Sequence, residues 1–311
     1  MHFVIFSCQL LGFLRVFAFS QAYIQISQEY LNDILIDRAQ DRAAGEYNYD
    51  YNGDDWTGLC QIGQSQSPID LLYDDAIKNN TIPRIQFHHY GESLRTPLVL
   101  MNNGHTANMV IPPTRTGQRP FITGGLLRGE YEVQSVHFHW GSNSSKGSEH
   151  SINFMRYDVE MHIVHKNRRY ESMAEASQNA DGLAVLAVMF GAQPQPFSQY
   201  YGLNKIFNQL PRIVEYNTNT TIPGQLNMAQ LLGNIIVGVF YSYNGSLTTP
   251  DCAEAVTWTV FPDVINIPER HIMKFWQLKD SRGTPLINNY RTIQDTNQRP
   301  VYYRGVSSLF L

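Results

Sequence analysis

The stretch Gln134–His165, "QSVHFHWGSNSSKGSEHSINFMRYDVEMHIVH", decides the fold and carries the chemistry. Val136, Phe138 and Trp140 alternate with Ser135, His137 and His139, the period-two pattern of a half-buried β-strand. Successive strand side chains point to opposite faces, so His137 and His139 project the same way. A third histidine, His162, follows 23 positions after His139, in "VEMHIV". There Glu160, His162 and Val164 share one face, and Met161 and Ile163 the other. If the two segments pair as antiparallel neighbours, three imidazoles converge on one point. Three neutral histidines with an open fourth position are a donor set for catalytic zinc. Two histidines on the solvated face of a strand would give the same His-x-His pattern. What favours a metal is His162 together with Glu160, because a metal-bound imidazole usually hands its second N–H to a carboxylate, carbonyl or water.

The chain has 311 residues, 43% hydrophobic and 16% charged, with a formal net charge of −4. That balance supports one large core, and a single β-rich domain of ~250 residues is ordinary. The small negative charge leaves no basic footprint for nucleic acid. Residues 1–22, "MHFVIFSCQLLGFLRVFAFSQA", form an apolar run closed by small residues around Ala18–Ser20 or Ser20–Ala22, which suits a secretory signal peptide. The run lacks an early Lys or Arg and is interrupted by Arg15. The alternative is a membrane anchor, but a run broken at Arg15 is too short to span comfortably. No other apolar stretch is long enough, so the mature chain is expected to have no transmembrane segment and to be secreted. The end, "VYYRGVSSLFL", is too short for the spacer and tail of a glycolipid-anchor signal. Cys8 would leave with the signal peptide. The remaining pair, Cys60 and Cys252, reads as a disulfide, with free thiols as the alternative. Asn79, Asn143 and Asn219 are candidate glycosylation sites; Asn244 is a weaker one because it precedes an apparent active-site loop.

Residues 23–46 contain an amphipathic leader, with Ile26, Tyr30 and Ile34 on one helical stripe. It could be a docked helix, a mobile leader or a removed pro-segment. From Tyr47 the texture changes to short apolar runs divided by Gly, Pro and Asn, as expected of a strand-rich fold. "SVHFHW", "VEMHIVH", "LAVLAVMF", "IIVGVFYSY" and "AVTWTVF" read as strands. The all-apolar "LAVLAVMF" is expected at the centre, covered on both faces. Helices are expected in "SMAEASQ", in "PFSQYYGLNKIFNQL", and in "PERHIMKFWQL", whose proline suits a first helical position. Residues 47–305 read as one domain, with 306–311 as a tail. The sequence sets no oligomeric state.

From Tyr49 to Tyr303 the chain resembles the α-class carbonic anhydrases, in a form similar to the secreted animal branch and insect-like within it. The resemblance is carried, in order, by "QSPIDL" (Gln66–Leu71), "NNGH" (Asn102–His105), "HFHWG" (His137–Gly141), "GSEH" (Gly147–His150), "EMHIVH" (Glu160–His165), "GSLTTP" (Gly245–Pro250) and "VTW" (Val256–Trp258). It implies a β-rich α+β fold: a single domain with a large central twisted, mostly antiparallel sheet and peripheral helices. It implies one Zn²⁺ per chain on His137, His139 and His162, and reversible hydration of carbon dioxide to bicarbonate and a proton by zinc-bound hydroxide. Carbonic anhydrase zinc is itself the reference case for bringing a bound water's pKa to about 7. Thr248 matches the family threonine that donates a hydrogen bond to the glutamate of "GSEH", here Glu149. An ionised carboxylate only accepts, so it dictates which way that hydroxyl points.

The apolar carbon dioxide pocket implied by the resemblance is Val164, Val185, Leu247, Val256 and Trp258, beside Thr249. Without the zinc site these would read as ordinary core. His105 matches the proton shuttle, for which an ordinary histidine pKa near 6.5 is suited. Asn289 in "NNYR" matches the position whose backbone carbonyl supports His139. His150 and His165 read as structural, and His88, His89 and His271 have no motif support. The family's glutamine two residues before the first zinc histidine is replaced by Ser135, with Gln134 one place earlier. Serine is too short to reach the ring, so the outer partner of His137 is expected to be a water. Two rivals differ in class. A catalytically weak carbonic-anhydrase-like extracellular binding module would be marked by loss of a zinc histidine, and none is lost. Another kind of zinc hydrolase would want a general-base Glu beside the ligands, as in H-E-x-x-H, and none is present.

Overall fold

The computed structural model describes residues 47–193 and 201–305, so the expected signal peptide, leader and tail lie outside the described residues. Among the described residues, fourteen strands follow in chain order. They begin β1 (Asp70–Leu71), β2 (Ile77–Lys78), β3 (Gln86–His88), β4 (Leu98–Asn102), β5 (Ala107–Val110), β6 (Phe121–Thr123) and β7 (Tyr131–Trp140). They continue β8 (Ser151–Ile152), β9 (Val159–Asn167), β10 (Leu183–Gln193), β11 (Asn219–Ile222), β12 (Phe240–Gly245), β13 (Val256–Pro268) and β14 (Tyr302–Arg304). Twelve form one sheet in the order β11-β4-β5-β7-β9-β10-β13-β12-β14-β2, with β3 and β6 joined to it through β7. Among the described residues, only β10–β13 and β14–β2 pair in parallel within it. The sheet is therefore mostly antiparallel, as the resemblance implies. A separate parallel pair joins β1 to β8.

Alternation along the central strands divides their side chains between two apolar clusters, one on each face. Phe138, Met161 and Ile163 enter one, and Val164, Val185 and Trp258 the other. β10 is buried from Leu183 to Phe190, the doubly covered central strand that its unbroken apolar run predicts. β9 departs from the half-buried pattern, since all nine of its residues are buried. Its polar face stays dry because Glu160 and His162 bond to each other at 2.7 Å and need no water.

The helices are short and peripheral. α1 covers Leu59–Ile62, and α2 covers Met173–Ala176, capped by Ser172 Oγ accepting from the Glu175 N–H. α3 is Tyr201–Phe207, followed by a 3₁₀ turn at Leu210–Arg212; the first part of that expected helix falls outside the described residues. α4 is Ala229–Leu232 and α5 is Glu269–Phe275. Pro268 is the N-cap of α5 rather than its first residue, because its ψ of 135° is still extended. No described helix is long and apolar enough to cross a membrane.

Cys60 and Cys252 form a disulfide that closes a sequence separation of 192 residues. On a chain-entropy account so long a loop stabilises the fold by up to about 5 kcal/mol, with about 3 kcal/mol typical of measured bonds. Reducing the bond should lower the melting temperature by roughly 6–12 °C, since about 1 kcal/mol shifts a domain of this size by 2–4 °C. Thermal unfolding with and without reductant checks this, and an unchanged curve would refute it.

His165 is structural, as its sequence context suggests. It is buried, with Nε2 2.6 Å from the Tyr90 hydroxyl and Nδ1 3.3 Å from the Ala184 carbonyl. Burial pushes its pKa down to about 3, despite the raising effect of the carbonyl at Ala184. Above pH 6.5 the ring is neutral folded and unfolded, and stability is complete. Below it the unfolded chain takes a proton that the fold refuses, and stability falls by about 1.4 kcal/mol per pH unit until the folded pKa is reached. In thermal melts between pH 6.5 and pH 4, a Tyr90→Phe, His165→Leu double variant, which removes both polar partners, should show a slope shallower by that amount.

Candidate metal centre

β7 and β9 run antiparallel with His137 opposite His162 and His139 opposite Glu160. This register turns the sequence pattern into a site. The two histidines of β7 share a face, and His162 meets them from the next strand. One nitrogen from each of the three rings falls within 4.8 Å of the other two. His162 Nδ1 is 3.2 Å from His137 Nε2. Two nitrogens at ~2.05 Å from a tetrahedral zinc would lie about 3.3 Å apart.

The outer partners fix which nitrogens are free. His139 Nδ1 lies 2.7 Å from the Asn289 carbonyl and so carries the proton, which leaves the Nε2 lone pair inward. His139 Nε2 is buried and has no hydrogen-bond partner. His162 directs Nε2 at Glu160 Oε1, 2.7 Å away, and keeps Nδ1 for the centre. Burial also holds the rings of His137 and His139 neutral. It lowers the His137 pKa well below the usual range, reinforced by His162 and His139, and lowers that of His139 against the opposing charge of Glu149. Neutral rings with converging, unshared lone pairs fit a borderline cation such as zinc.

His137 differs from the other two. β7 carries a bulge between Val133 and Ser135, and Gln134 turns its amide to the Glu132 carbonyl at 3.1 Å. Among the described residues, none supplies a hydrogen bond to the other nitrogen of His137.

Glu149 is fully buried beside the histidines. Its Oε1 accepts from the Arg291 N–H at 2.8 Å. Its Oε2 lies 3.5 Å from His139 Nε2 and 4.0 Å from His162 Nδ1, and has no hydrogen-bond partner. The Thr248–Glu149 bond implied by the resemblance is therefore not formed in this structure, although Thr248 is buried at 5% exposure. Arg291 carries no sequence signal of its role. It is buried, and its guanidinium donates to Gln66 Oε1, the Ser67 carbonyl and the Cys60 carbonyl. Burial lowers its pKa while the Glu149 charge opposes that. Through Arg291, "QSPIDL" and the disulfide are tied to the residue that holds Glu149.

Val164, Val185, Val256 and Trp258 belong to the apolar cluster on the histidine face, with Leu247 packed against it. Val185 links them in register, opposite Val164 on β9 and Trp258 on β13. The Trp258 and His162 rings are 4.9 Å apart. Thr249 is half-buried. His105 is half-buried too, and its ring stacks on Tyr47 at 3.8 Å and 8°. Burial pushes its pKa down to about 4, against the raising effect of Asp280. His88, His89, His165 and His271 join none of the metal-capable groups among the described residues.

Three histidines thus converge on one face of the sheet, with a buried carboxylate beside them and an apolar wall on the same face. The matching family model is eukaryotic-type carbonic anhydrase, over residues 51–305, and the chain belongs to that family. It is 35% identical to carbonic anhydrase 6 of Homo sapiens over 242 residues, covering 77% of this chain and 75% of that one. It is 32% identical to putative carbonic anhydrase 5 of Caenorhabditis elegans over 260 residues, covering 83% and 81%. It is 31% identical to carbonic anhydrase 12 of Homo sapiens over 272 residues, covering 81% and 73%.

Asn289 does more than present a carbonyl. Its Oδ1 accepts from the Trp140 N–H at 2.7 Å, and its Nδ2 donates to the carbonyls of His105 and Phe138 at 3.0 and 3.1 Å. One side chain thus anchors the end of β7 and the turn that carries His105. Nothing in the sequence marks this, because the partners are about 150 or more positions away. Asn289→Ala should destabilise the protein by about 3 kcal/mol, as each unsatisfied buried group costs roughly 1–3 kcal/mol. Denaturant unfolding checks this; a change below about 1 kcal/mol would show the clamp to be dispensable.

Proposed function

We propose that the protein is a zinc-dependent carbonic anhydrase catalysing CO₂ + H₂O ⇌ HCO₃⁻ + H⁺. The observation that carries this reading is the convergence of three imidazole nitrogens, with the tautomers of His139 and His162 set by Asn289 and Glu160. His137, His139 and His162 hold the ion, and when bound it supplies Lewis acidity that brings the pKa of a coordinated water close to neutrality, as carbonic anhydrase zinc does. Val164, Val185, Leu247, Val256 and Trp258 receive carbon dioxide. That molecule has no net dipole and gains nothing from a wall of hydrogen-bond donors. With the ion bound, Glu149 Oε2, unpartnered in this structure, would accept a hydrogen bond from the Thr248 hydroxyl, so that the threonine oxygen presents its lone pairs toward the centre.

His105 carries the released proton outward. With a pKa of about 4 in its stacked position it resists protonation near neutral pH, so uptake requires the ring to leave Tyr47 and enter water. The same reading extends to compartment. The disulfide and the signal-like residues 1–22 together favour export, where Asn79, Asn143 and Asn219 would be open to glycosylation.

Stopped-flow carbon dioxide hydration on purified protein, before and after chelation, tests the function. One zinc per chain is expected, with activity abolished by chelation and restored by zinc. Thr248→Ala should lower kcat/KM by about 10–100-fold, the usual effect of removing an outer hydrogen-bond partner of a metal site. Activity that survives complete removal of zinc, or a zinc-loaded protein without activity, would overturn the proposal.

A further inference from the structure

Glu160 serves two histidines. Its Oε1 lies 2.7 Å from His162 Nε2 and 2.7 Å from His150 Nδ1, and its Oε2 accepts from the His150 backbone N–H at 2.8 Å. The other ring nitrogen of His150 is 2.7 Å from the Tyr243 hydroxyl oxygen. That hydroxyl donates to Ser67 Oγ at 2.9 Å, and Ser67 Oγ also accepts from the Ser246 N–H at 3.1 Å. A continuous chain therefore runs from His162 through Glu160, His150 and Tyr243 to Ser67. None of the five residues is more than 1% exposed, so the chain lies away from bulk water.

The surroundings are built around this chain. The Trp258 ring lies 4.8 Å from His150 and 4.9 Å from His162, and stacks 6.4 Å from Tyr243. A Cβ on Gly245 would come within 2.2 Å of Ser67 Oγ and 2.7 Å of the Tyr243 ring. Only glycine there lets β12 bring Tyr243 up to Ser67.

We propose that Tyr243 is a positioning residue of the metal centre: its hydroxyl, through His150, fixes the Glu160 carboxylate and thereby the ring of His162. This rests on the reading of His137, His139 and His162 as a zinc site. The physical reason is that the His150 ring and the His162 ring share one oxygen of Glu160, Oε1. A His150 ring left unpaired at Nε2 in a dry pocket must shift to find another partner, and Glu160 Oε1, the oxygen that also bonds His162, shifts with it. His162 then loses the bond that orients its lone pair. Phenylalanine at 243 would keep the packing against Trp258 and remove only the hydroxyl.

The experiment is a zinc competition titration of the metal-free protein against a chromophoric chelator, paired with thermal melts of the metal-free forms. Tyr243→Phe should weaken zinc binding by roughly tenfold, the lower end of what loss of an outer partner costs. Ser67→Ala, which removes the anchor of the tyrosine together with the acceptor of the Ser246 N–H, should weaken it by roughly threefold, as expected of one neutral hydrogen bond on the path to the centre, and it decides the matter if Tyr243→Phe does not fold. A purely structural Tyr243 would lower the melting temperature while leaving zinc affinity unchanged, and that result overturns the proposal. Wild-type protein that binds no zinc overturns the metal reading itself, and the proposal with it. Wild-type binding matched by both variants overturns the positioning role alone.

Discussion

Everything in this molecule depends on the register between β7 and β9. Strand side chains alternate with a period of two, so a slip of one residue would send His162 to the opposite face, among Phe138 and Ile163. Two independent constraints hold the register. Met161 and Ile163 must enter the apolar cluster on one face. On the other, Glu160 and His162 must be buried together with partners, because neither is tolerable dry and alone. The bulge at Gln134 falls before the histidines, so it adds local twist without disturbing the pairing of His137 with His162.

From that register follows a layered division of labour. The three histidines touch the centre, and the groups around them set proton positions. Asn289 and Glu160 decide tautomers, and Glu149 waits with one unpartnered oxygen beside His139 and His162. Behind them Arg291 reaches the Gln66–Ser67 segment and the Cys60 carbonyl, so that a distant loop, the disulfide and the site share one rigid support. Burial supplies the electrostatics throughout. It keeps the imidazoles of His137 and His139 neutral, and it makes His105 reluctant to take a proton while stacked.

Much of this is legible in the order of residues. The alternation in "SVHFHW" and "VEMHIV" marks both strands and the shared face. The unbroken "LAVLAVMF" marks the central strand, and the cysteine pair marks the disulfide. The resemblance to α-class carbonic anhydrases singles out Glu149, Thr248, His105 and Asn289. Three things are not legible. β9 reads as half-buried and is wholly buried, because its polar side chains satisfy one another. The resemblance implies a Thr248–Glu149 bond that is not formed, since Glu149 Oε2 has no partner. The supporting roles of Arg291, Tyr243 and the Asn289 side chain leave no trace, because their partners are distant in the chain.

The sequence by itself determined the local matters: which residues share a face, which segments extend, which donor types can meet. These depend on the period of the backbone and the chemistry of single side chains, and both are written in neighbouring positions. Only the tertiary structure decided which nitrogen of each histidine is free, which carboxylate oxygen is unpartnered, and how dry the site is. Those depend on hydrogen bonds between residues as far apart as Ser67 and Tyr243, or His139 and Asn289. Such bonds gain their strength from the burial that folding alone creates.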